Sequence, residues 1–228
     1  MAKKKDLQKR SALEQAQSPQ GAGMLGGAAV SLVTALLESG IDGLGPFDSA
    51  EAVAAEALAG EGSVEKAIKK VVSGHTRLAA VEGFVTGLGG FVTLPVALPA
   101  NVAGFYLLAT RQTAVIARLR GYDIKDPQIR SAILLTLVGA DADDLLRKAG
   151  VAGPAGAMSN LAAQGLPGPA LMMVNKAVGF RLLTQFGKRT LSRLGRGIPI
   201  AGGVIGAGLD STLIRSVAKQ ARQEFPQK

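Results

Sequence analysis

The only histidine, His75 in the stretch SGHTRL, is the side chain best suited to acid–base catalysis near neutral pH. As the base of a hydrolase it would need a serine nucleophile and an aspartate beside it, and the fold would have to bring Ser73 or Ser159 there. The sequence contains no G-x-S-x-G nucleophile turn and no H-E-x-x-H zinc motif. We therefore interpret His75 as a satisfied or exposed turn histidine and keep a soluble, peptidase-like hydrolase as an alternative function.

Two groups of carboxylates have the composition of a hard-cation site. Both groups lie near predicted helix starts, where the helix dipole stabilises negative charge and explains the acids without a metal. The chain also has no cysteine, so thiolate metal sites, disulfides and cysteine nucleophiles are excluded. We expect no metal and no cofactor. The carboxylates concerned are Asp123, Asp126, Asp141, Asp143 and Asp144.

Glycine-rich strings, GLGGFVTLPVAL and GGVIGAG, raise the question of a phosphate-binding loop. The first lacks the G-x-x-x-x-G-K-[ST] spacing, and the second has no preceding strand. Small residues three or four positions apart let helix backbones approach closely, so these strings predict interhelical seams instead. The seam glycines are Gly83, Gly87, Gly90, Gly202 and Gly206.

Helices must position these residues, because helical periodicity dominates the chain and strand alternation is scarce. Asp48 or Ser49 is expected to cap a helix over 49–59 that stops at Gly60. Ser63 is expected to cap the next one, which has an apolar face and an opposite face with glutamate and lysine.

Capping residues in the C-terminal half of the sequence predict further helices. Asp126 with Pro127 is a strong helix start, and Asp210 is expected to cap the last helix. A weak internal similarity between the segments around Arg111 and Arg215 predicts an inward-facing arginine in each.

The longest uncharged stretch is 83–110, with 28 residues between Glu82 and Arg111. A membrane span needs roughly 20 apolar residues, but Pro95 and Pro99 are expected to break a helix near its middle. The stretch thus predicts two short apolar helices that meet at a bend. Three interpretations of this stretch remain open: a hairpin buried in the core, a re-entrant membrane insertion, and a true membrane span. Correspondingly, Glu82 and Arg111 either form an ion pair in the core or mark the boundary between lipid and water.

Charge is segregated along the chain, whose formal net charge is +9. Residues 38–65 hold seven acids and no base, whereas residues 176–228 hold ten lysines or arginines and two acids. Such a basic face attracts anionic lipid, nucleic acid or an acidic partner. We assign to this face Lys176, Lys188, Arg189, Arg193 and Arg196.

Two long segments resemble the EcsC protein family: 79–139, from AAVEGFVTGLGG to LLTLVG, and 175–225, from NKAVGF to RQEF. The motifs that carry the resemblance are Glu82-Gly83, Gly87 to Gly90, Pro95, Pro99, Gly121-Tyr122-Asp123, Ile198-Pro199, Gly202-Gly203 and Asp210. The resemblance implies a bacterial helical protein whose family namesake is encoded beside an ABC transporter. Asn101 stands where the family is expected to have an acid.

Together these patterns predict an all-α, Gly/Ala-rich helical bundle with a central bent apolar hairpin. Residues 1–45 are expected to form a flexible basic and apolar arm, and 46–228 an EcsC-like domain. We expect a non-enzymatic accessory protein, cytoplasmic and peripheral or re-entrant at the inner membrane. It would engage anionic lipid or a membrane protein partner. Nonspecific nucleic-acid binding through the C-terminal helices is a further alternative.

Overall fold

The computed structural model describes residues 24–43, 48–88, 90–138, 142, 146, 167–193 and 199–228. Within these ranges the chain is helical and forms no strand, which confirms the predicted all-α class. A π-helical turn, Glu38–Gly43, follows the first helix. The helices are α1 (Met24–Leu37), α2 (Ala50–Glu61), α3 (Val64–Leu88), α4 (Gly90–Leu119), α5 (Pro127–Val138), α6 (Gly168–Arg193) and α7 (Pro199–Glu224).

Local capping chemistry sets the ends of α2. The Ser49 hydroxyl accepts a hydrogen bond from the Ala52 amide at 3.1 Å, as predicted for a helix start. The helix passes through Gly60 and ends at Gly62, which has φ 66° and donates its amide to the Leu58 carbonyl. Gly62 is the stop because the left-handed conformation that closes a helix is easiest for glycine.

The start of α5 also follows from local chemistry. Asp126 accepts a hydrogen bond from the Gln128 amide at 2.8 Å, and Pro127 occupies the first helical position. A proline costs nothing at that position because the first amides of a helix have no intrahelical acceptor. The predicted start is confirmed.

The two prolines of the apolar stretch do not end a helix, contrary to the sequence prediction. α3 ends at Leu88, and α4 continues from Gly90 through Pro95 and Pro99 to Leu119. A proline removes one backbone hydrogen bond, a local loss that the rest of a 30-residue helix accommodates. None of the helices in the described ranges is both long enough and apolar enough to cross a bilayer.

The last helix begins earlier than predicted. α7 starts at Pro199 and includes the glycines of GGVIGAG, so Asp210 lies inside the helix, where it is buried, rather than at its cap. Glycine disfavours an isolated helix by about 1 kcal/mol per residue. Tertiary packing overrides that preference here, because α7 packs along α3 more extensively than any other described pair of helices.

The core is built around α4, which contacts all the other helices of the described ranges. Arg222 near the end of α7 faces Glu65 near the start of α3. This contact shows that the two helices run antiparallel. The Gln112 side chain of α4 donates to the Ile214 carbonyl of α7 at 2.9 Å and ties these two helices together. Aliphatic side chains fill the interior, including Ile68, Ile116, Ile133, Leu134 and Ile214.

The N-terminal segment enters this core. Residues 24–43, which were expected to belong to a flexible arm, are helical and bury Ala29, Val33 and Leu36. Gly179 of α6 lies so close to the Ala29 backbone that a Cβ there would clash with it. The position of the domain boundary stays a prediction.

Candidate functional site

A groove of about 470 Å³ lies between α3 and α7 and is the candidate functional site. Four cationic side chains line it, two from each helix: Lys69 and Arg77 from α3, and Arg215 and Arg222 from α7. The remaining lining residues are Val72, Ser73 and Thr76. We call this feature the cationic groove.

Helix geometry explains why the four cations converge. Lys69 and Arg77 are eight residues apart on α3, and Arg215 and Arg222 are seven apart on α7, so each pair spans about two turns, roughly 11–12 Å. Because the helices are antiparallel, Arg77 lies towards Arg215 and Lys69 towards Arg222. The groove therefore has two cations at each end.

Little negative charge compensates these cations. Glu65 approaches Arg222 at 4.0 Å but pairs more closely with Arg120, at 2.7 Å. No carboxylate of the described residues forms an ion pair with Lys69, Arg77 or Arg215. An anion in the groove would meet a surplus of positive charge.

Hydroxyl groups lie between the cations. Thr76 lines the groove and donates its hydroxyl to the Val72 carbonyl at 2.7 Å. Ser73 is exposed on the same wall. A serine hydroxyl can donate to an anionic oxygen, so the groove offers both charge and a neutral donor.

Exposed apolar side chains continue the outer face of α3 beyond the groove. Lys69, Ser73, Arg77 and Val81 follow one another at four-residue spacing and so form one row on the helix surface. Val81 is 61% exposed, and its neighbour Leu78 is 56% exposed. The row therefore passes from cationic to apolar towards the hairpin end of α3.

His75 lies on the buried side of the same helix and does not line the groove. Its Nδ1 donates to the Val71 carbonyl at 2.9 Å, which assigns the proton of the neutral ring to Nδ1. Burial lowers the pKa of His75, the hydrogen bond to Val71 opposes this, and the charge of Arg111 lowers it further. The charged neighbour of His75 is thus an arginine, whereas a hydrolase triad requires an aspartate.

Arg111 is buried, 9% exposed, as the internal similarity predicted. Burial lowers the pKa of Arg111, and the negative charge of Asp48 opposes that effect. The Glu82 side chain, its expected partner, lies outside the described part. Arg215, also expected to face inward, is instead exposed in the groove.

The Gly121-Tyr122-Asp123 motif forms the connection between α4 and α5. Gly121 has φ 92°, Tyr122 is buried edge-on against Phe225, and Asp123 accepts from the Lys125 amide at 2.9 Å. Burial raises the pKa of Tyr122, and the charge of Arg120 opposes this. The motif thus attaches the end of α7 to this connection.

The C-terminal residue completes this contact. The Lys228 amide donates to the Arg120 carbonyl at 3.1 Å, and its ammonium lies 4.4 Å from the centre of the Tyr122 ring.

The structure does not test most of the basic face assigned from sequence. Lys176 is half-buried on α6, and Arg196 lies outside the described residues. For several residues only the helical backbone is described: Glu82, Gly83, Gly87, Gly90, Pro95, Pro99 and Asn101 in α3 and α4, Lys188, Arg189 and Arg193 in α6, and Pro199, Gly202 and Gly203 in α7. Their roles stay predictions.

Sequence reasoning missed the groove itself. The lysine-bearing face predicted for the helix after Ser63 includes Lys69, which is exposed on α3, but the approach of Lys69 to α7 depends on how two distant helices pack. The available signal was the regular spacing of cations on both helices, Lys69 with Arg77 and Arg215 with Arg222. Among the described residues, no group of three or more acids or histidines has the arrangement of a metal site.

Comparison with known protein families identifies the family to which this chain is similar. The model of the EcsC protein family matches residues 62–227, a range that includes both helices of the groove. No curated protein matches, and no solved structure matches.

Proposed function

The chain belongs to the EcsC protein family, and we propose that it is a non-enzymatic accessory protein that binds an anionic membrane surface. The observation that carries this proposal is the outer face of α3, on which the groove cations Lys69 and Arg77 are followed by the exposed side chains of Leu78 and Val81. Surface-binding helices combine these two features, because cations attract anionic headgroups and apolar side chains enter the interface.

The orientation of the hairpin supports the same proposal. The exposed apolar residues of α3 precede the uncharged stretch 83–110, which begins at the hairpin end of that helix. In the proposed arrangement this end faces the lipid, and the cationic groove lies at the level of the headgroups. The protein would then be peripheral or re-entrant at the cytoplasmic face of the inner membrane.

The membrane partner is part of the proposal. The family namesake is encoded beside an ABC transporter, and a membrane transporter is accordingly the kind of protein partner we propose. Anionic lipid would bring the protein to the surface on which such a partner lies.

Flotation on lipid vesicles tests the proposed function. We expect the protein to float with vesicles that contain phosphatidylglycerol and to float poorly with phosphatidylcholine alone. Added salt should weaken the binding, because it shortens the distance over which surface charges attract each other. This distance, the Debye length, is about 10 Å at 0.1 M. Failure to float with either composition would contradict the proposal.

A paired variant separates the apolar contribution from the electrostatic one. Leu78→Ser with Val81→Ser should reduce flotation while leaving the fold intact, because both side chains are exposed. Leu58→Ser is the matched control, since Leu58 is an exposed leucine on α2 outside the row. Equal loss in both cases would refute the assigned surface.

A further inference from the structure

We infer that the cationic groove is a binding site for a single phosphomonoester group. The inference deepens the proposed function and, for a lipid as the source of the phosphate, rests on it. It names the chemistry that the groove selects, beyond general attraction to negative charge.

Charge and donor type favour phosphate. Three of the four cations in the groove are arginines, whose planar guanidinium groups donate two parallel hydrogen bonds to phosphate oxygens. A phosphomonoester carries close to two negative charges at neutral pH, more than a diester or a carboxylate. Glu65, which lies 4.0 Å from Arg222, pairs more closely with Arg120, so the cations at both ends of the groove stabilise the more highly charged group best.

Size favours a single group over a polymer. Small-ligand sites in proteins have volumes of about 300–1,000 Å³, and the groove has about 470 Å³. The cations are confined to two turns of two helices, whereas a nucleic acid needs a basic surface that follows its backbone. A duplex or single strand would leave most of its phosphates outside the groove.

Position makes the inference compatible with a lipid headgroup. The groove is open to solvent, and the row from Lys69 to Arg77 leads directly to Val81. The phosphate of a headgroup could therefore enter the groove while the chains remain beside the exposed apolar residues. A soluble phosphomonoester would use the same cations without these apolar contacts.

Two matched pairs of variants test the site. Lys69→Gln and Arg215→Gln remove a cation that lines the groove. Lys70→Gln and Lys219→Gln remove the same charge from the same helices at exposed positions outside the lining. All four side chains are exposed, so we expect unchanged thermal denaturation, which serves as the check on folding.

The probes separate the soluble from the lipid source. For the soluble source, we would titrate the protein with glycerol 3-phosphate in a calorimeter and use glycerol as the uncharged control. For the lipid source, we would measure flotation with vesicles that contain phosphatidate or phosphatidylglycerol. We expect glycerol 3-phosphate to bind, or phosphatidate vesicles to be preferred over phosphatidylglycerol vesicles of the same charge density. In the calorimetric titration and in the vesicle flotation, each groove variant should bind about tenfold more weakly than the unmodified protein. Each control variant should bind as well as the unmodified protein.

The outcomes distinguish this inference from the proposed function. Flotation without preference for phosphatidate, together with no binding of glycerol 3-phosphate, overturns the phosphomonoester site and leaves membrane binding standing. Binding of glycerol 3-phosphate without flotation on any vesicle supports the site, assigns it a soluble ligand and contradicts the membrane proposal. Equal losses in the groove and control variants also overturn the site.

Discussion

At the scale of single residues, His75 shows how burial changes the chemistry of a side chain. The sequence marked it as a potential base because it is the only histidine. In the structure its ring is buried in α3 beside a positive charge, and both effects lower its pKa from the ordinary value of 6.5. This arrangement has a measurable consequence for stability.

We expect the folded protein to lose stability as the pH falls below about 6.5. The unfolded chain binds a proton at His75 in that range, whereas the folded chain binds it only at lower pH, so acid favours the unfolded state. The loss is at most about 1.4 kcal/mol per pH unit and ends below the folded pKa. His75→Gln should reduce this pH dependence in denaturant titrations. An identical slope in the variant would show that His75 does not contribute.

A second residue-scale prediction concerns two glycines in contrasting surroundings. A Cβ on Gly179 would lie 2.9 Å from the Ala29 carbonyl carbon, whereas a Cβ on Gly74 would meet nothing within 4 Å. Gly179→Ala should destabilise the protein by about 1–3 kcal/mol. Gly74→Ala, in an exposed helical position, should stabilise it by roughly 0.5–1 kcal/mol. Thermal denaturation of both variants checks the difference in sign.

At the scale of elements, the end of α7 is attached by an aromatic contact. The Phe225 and Tyr122 rings have centroids 5.2 Å apart at an angle of 76°, and Phe225 is 1% exposed. Phe225→Ala should lower the free energy of unfolding by about 3–5 kcal/mol because it leaves a cavity. Lys228→Ala, which removes only the exposed cation above Tyr122, should cost less than about 1 kcal/mol. Urea denaturation distinguishes these values, and similar costs would contradict the proposed anchor.

Elements with local signals were predictable from the sequence. Ser49 and Asp126 cap helices through side chains within three residues of the amides they bind, so their roles depend on little else. Asp210 carried the same signal but lies inside α7, because that helix begins at Pro199 and packs as a whole along α3. Pro95 and Pro99 predicted a helix break that does not occur in α4. The packing of this long helix outweighs the local preference of proline against the helix interior.

The groove was not predictable for a related reason. Each of its walls is an ordinary amphipathic helix with cations on the solvent side. Only the antiparallel packing of α3 on α7 brings Lys69 and Arg77 to Arg215 and Arg222. That packing is decided by long-range contacts, which a single sequence does not specify.

At the scale of the whole molecule, the segregation of charge along the sequence becomes a segregation in space. Acids from 38–65 pair mostly with bases of α3, α4, α5 and the connection between α4 and α5, as in Glu51 with Arg118 and Asp42 with Arg130, and Glu65 also approaches Arg222 of α7. These contacts neutralise that side of the molecule. Lys69, Arg77 and Arg215 form no such ion pair within the described residues, and they line the groove in which the proposed anionic ligand binds.

This distribution predicts a gain of function. Glu65→Gln removes the carboxylate nearest the groove and should increase affinity for anionic vesicles roughly fivefold, since a charge near such a surface contributes about 1 kcal/mol. Glu51→Gln removes the same charge from a pair with Arg118 and should leave affinity unchanged. Vesicle titration of both variants tests this, and equal changes would show that only net charge matters.

The antiparallel packing of α3 with α7 also has a consequence for the order of events during synthesis. The groove combines a helix that emerges early with the last helix of the described chain, as the contact of Glu65 in α3 with Arg222 in α7 shows. Contacts between residues far apart in the sequence cost more loop-closure entropy than local contacts and are associated with slower folding. In a nascent chain, α3 therefore supplies one wall of the groove, and the proposed binding site is incomplete until α7 docks. Binding of the proposed phosphate ligand would therefore report that α7 has docked on α3.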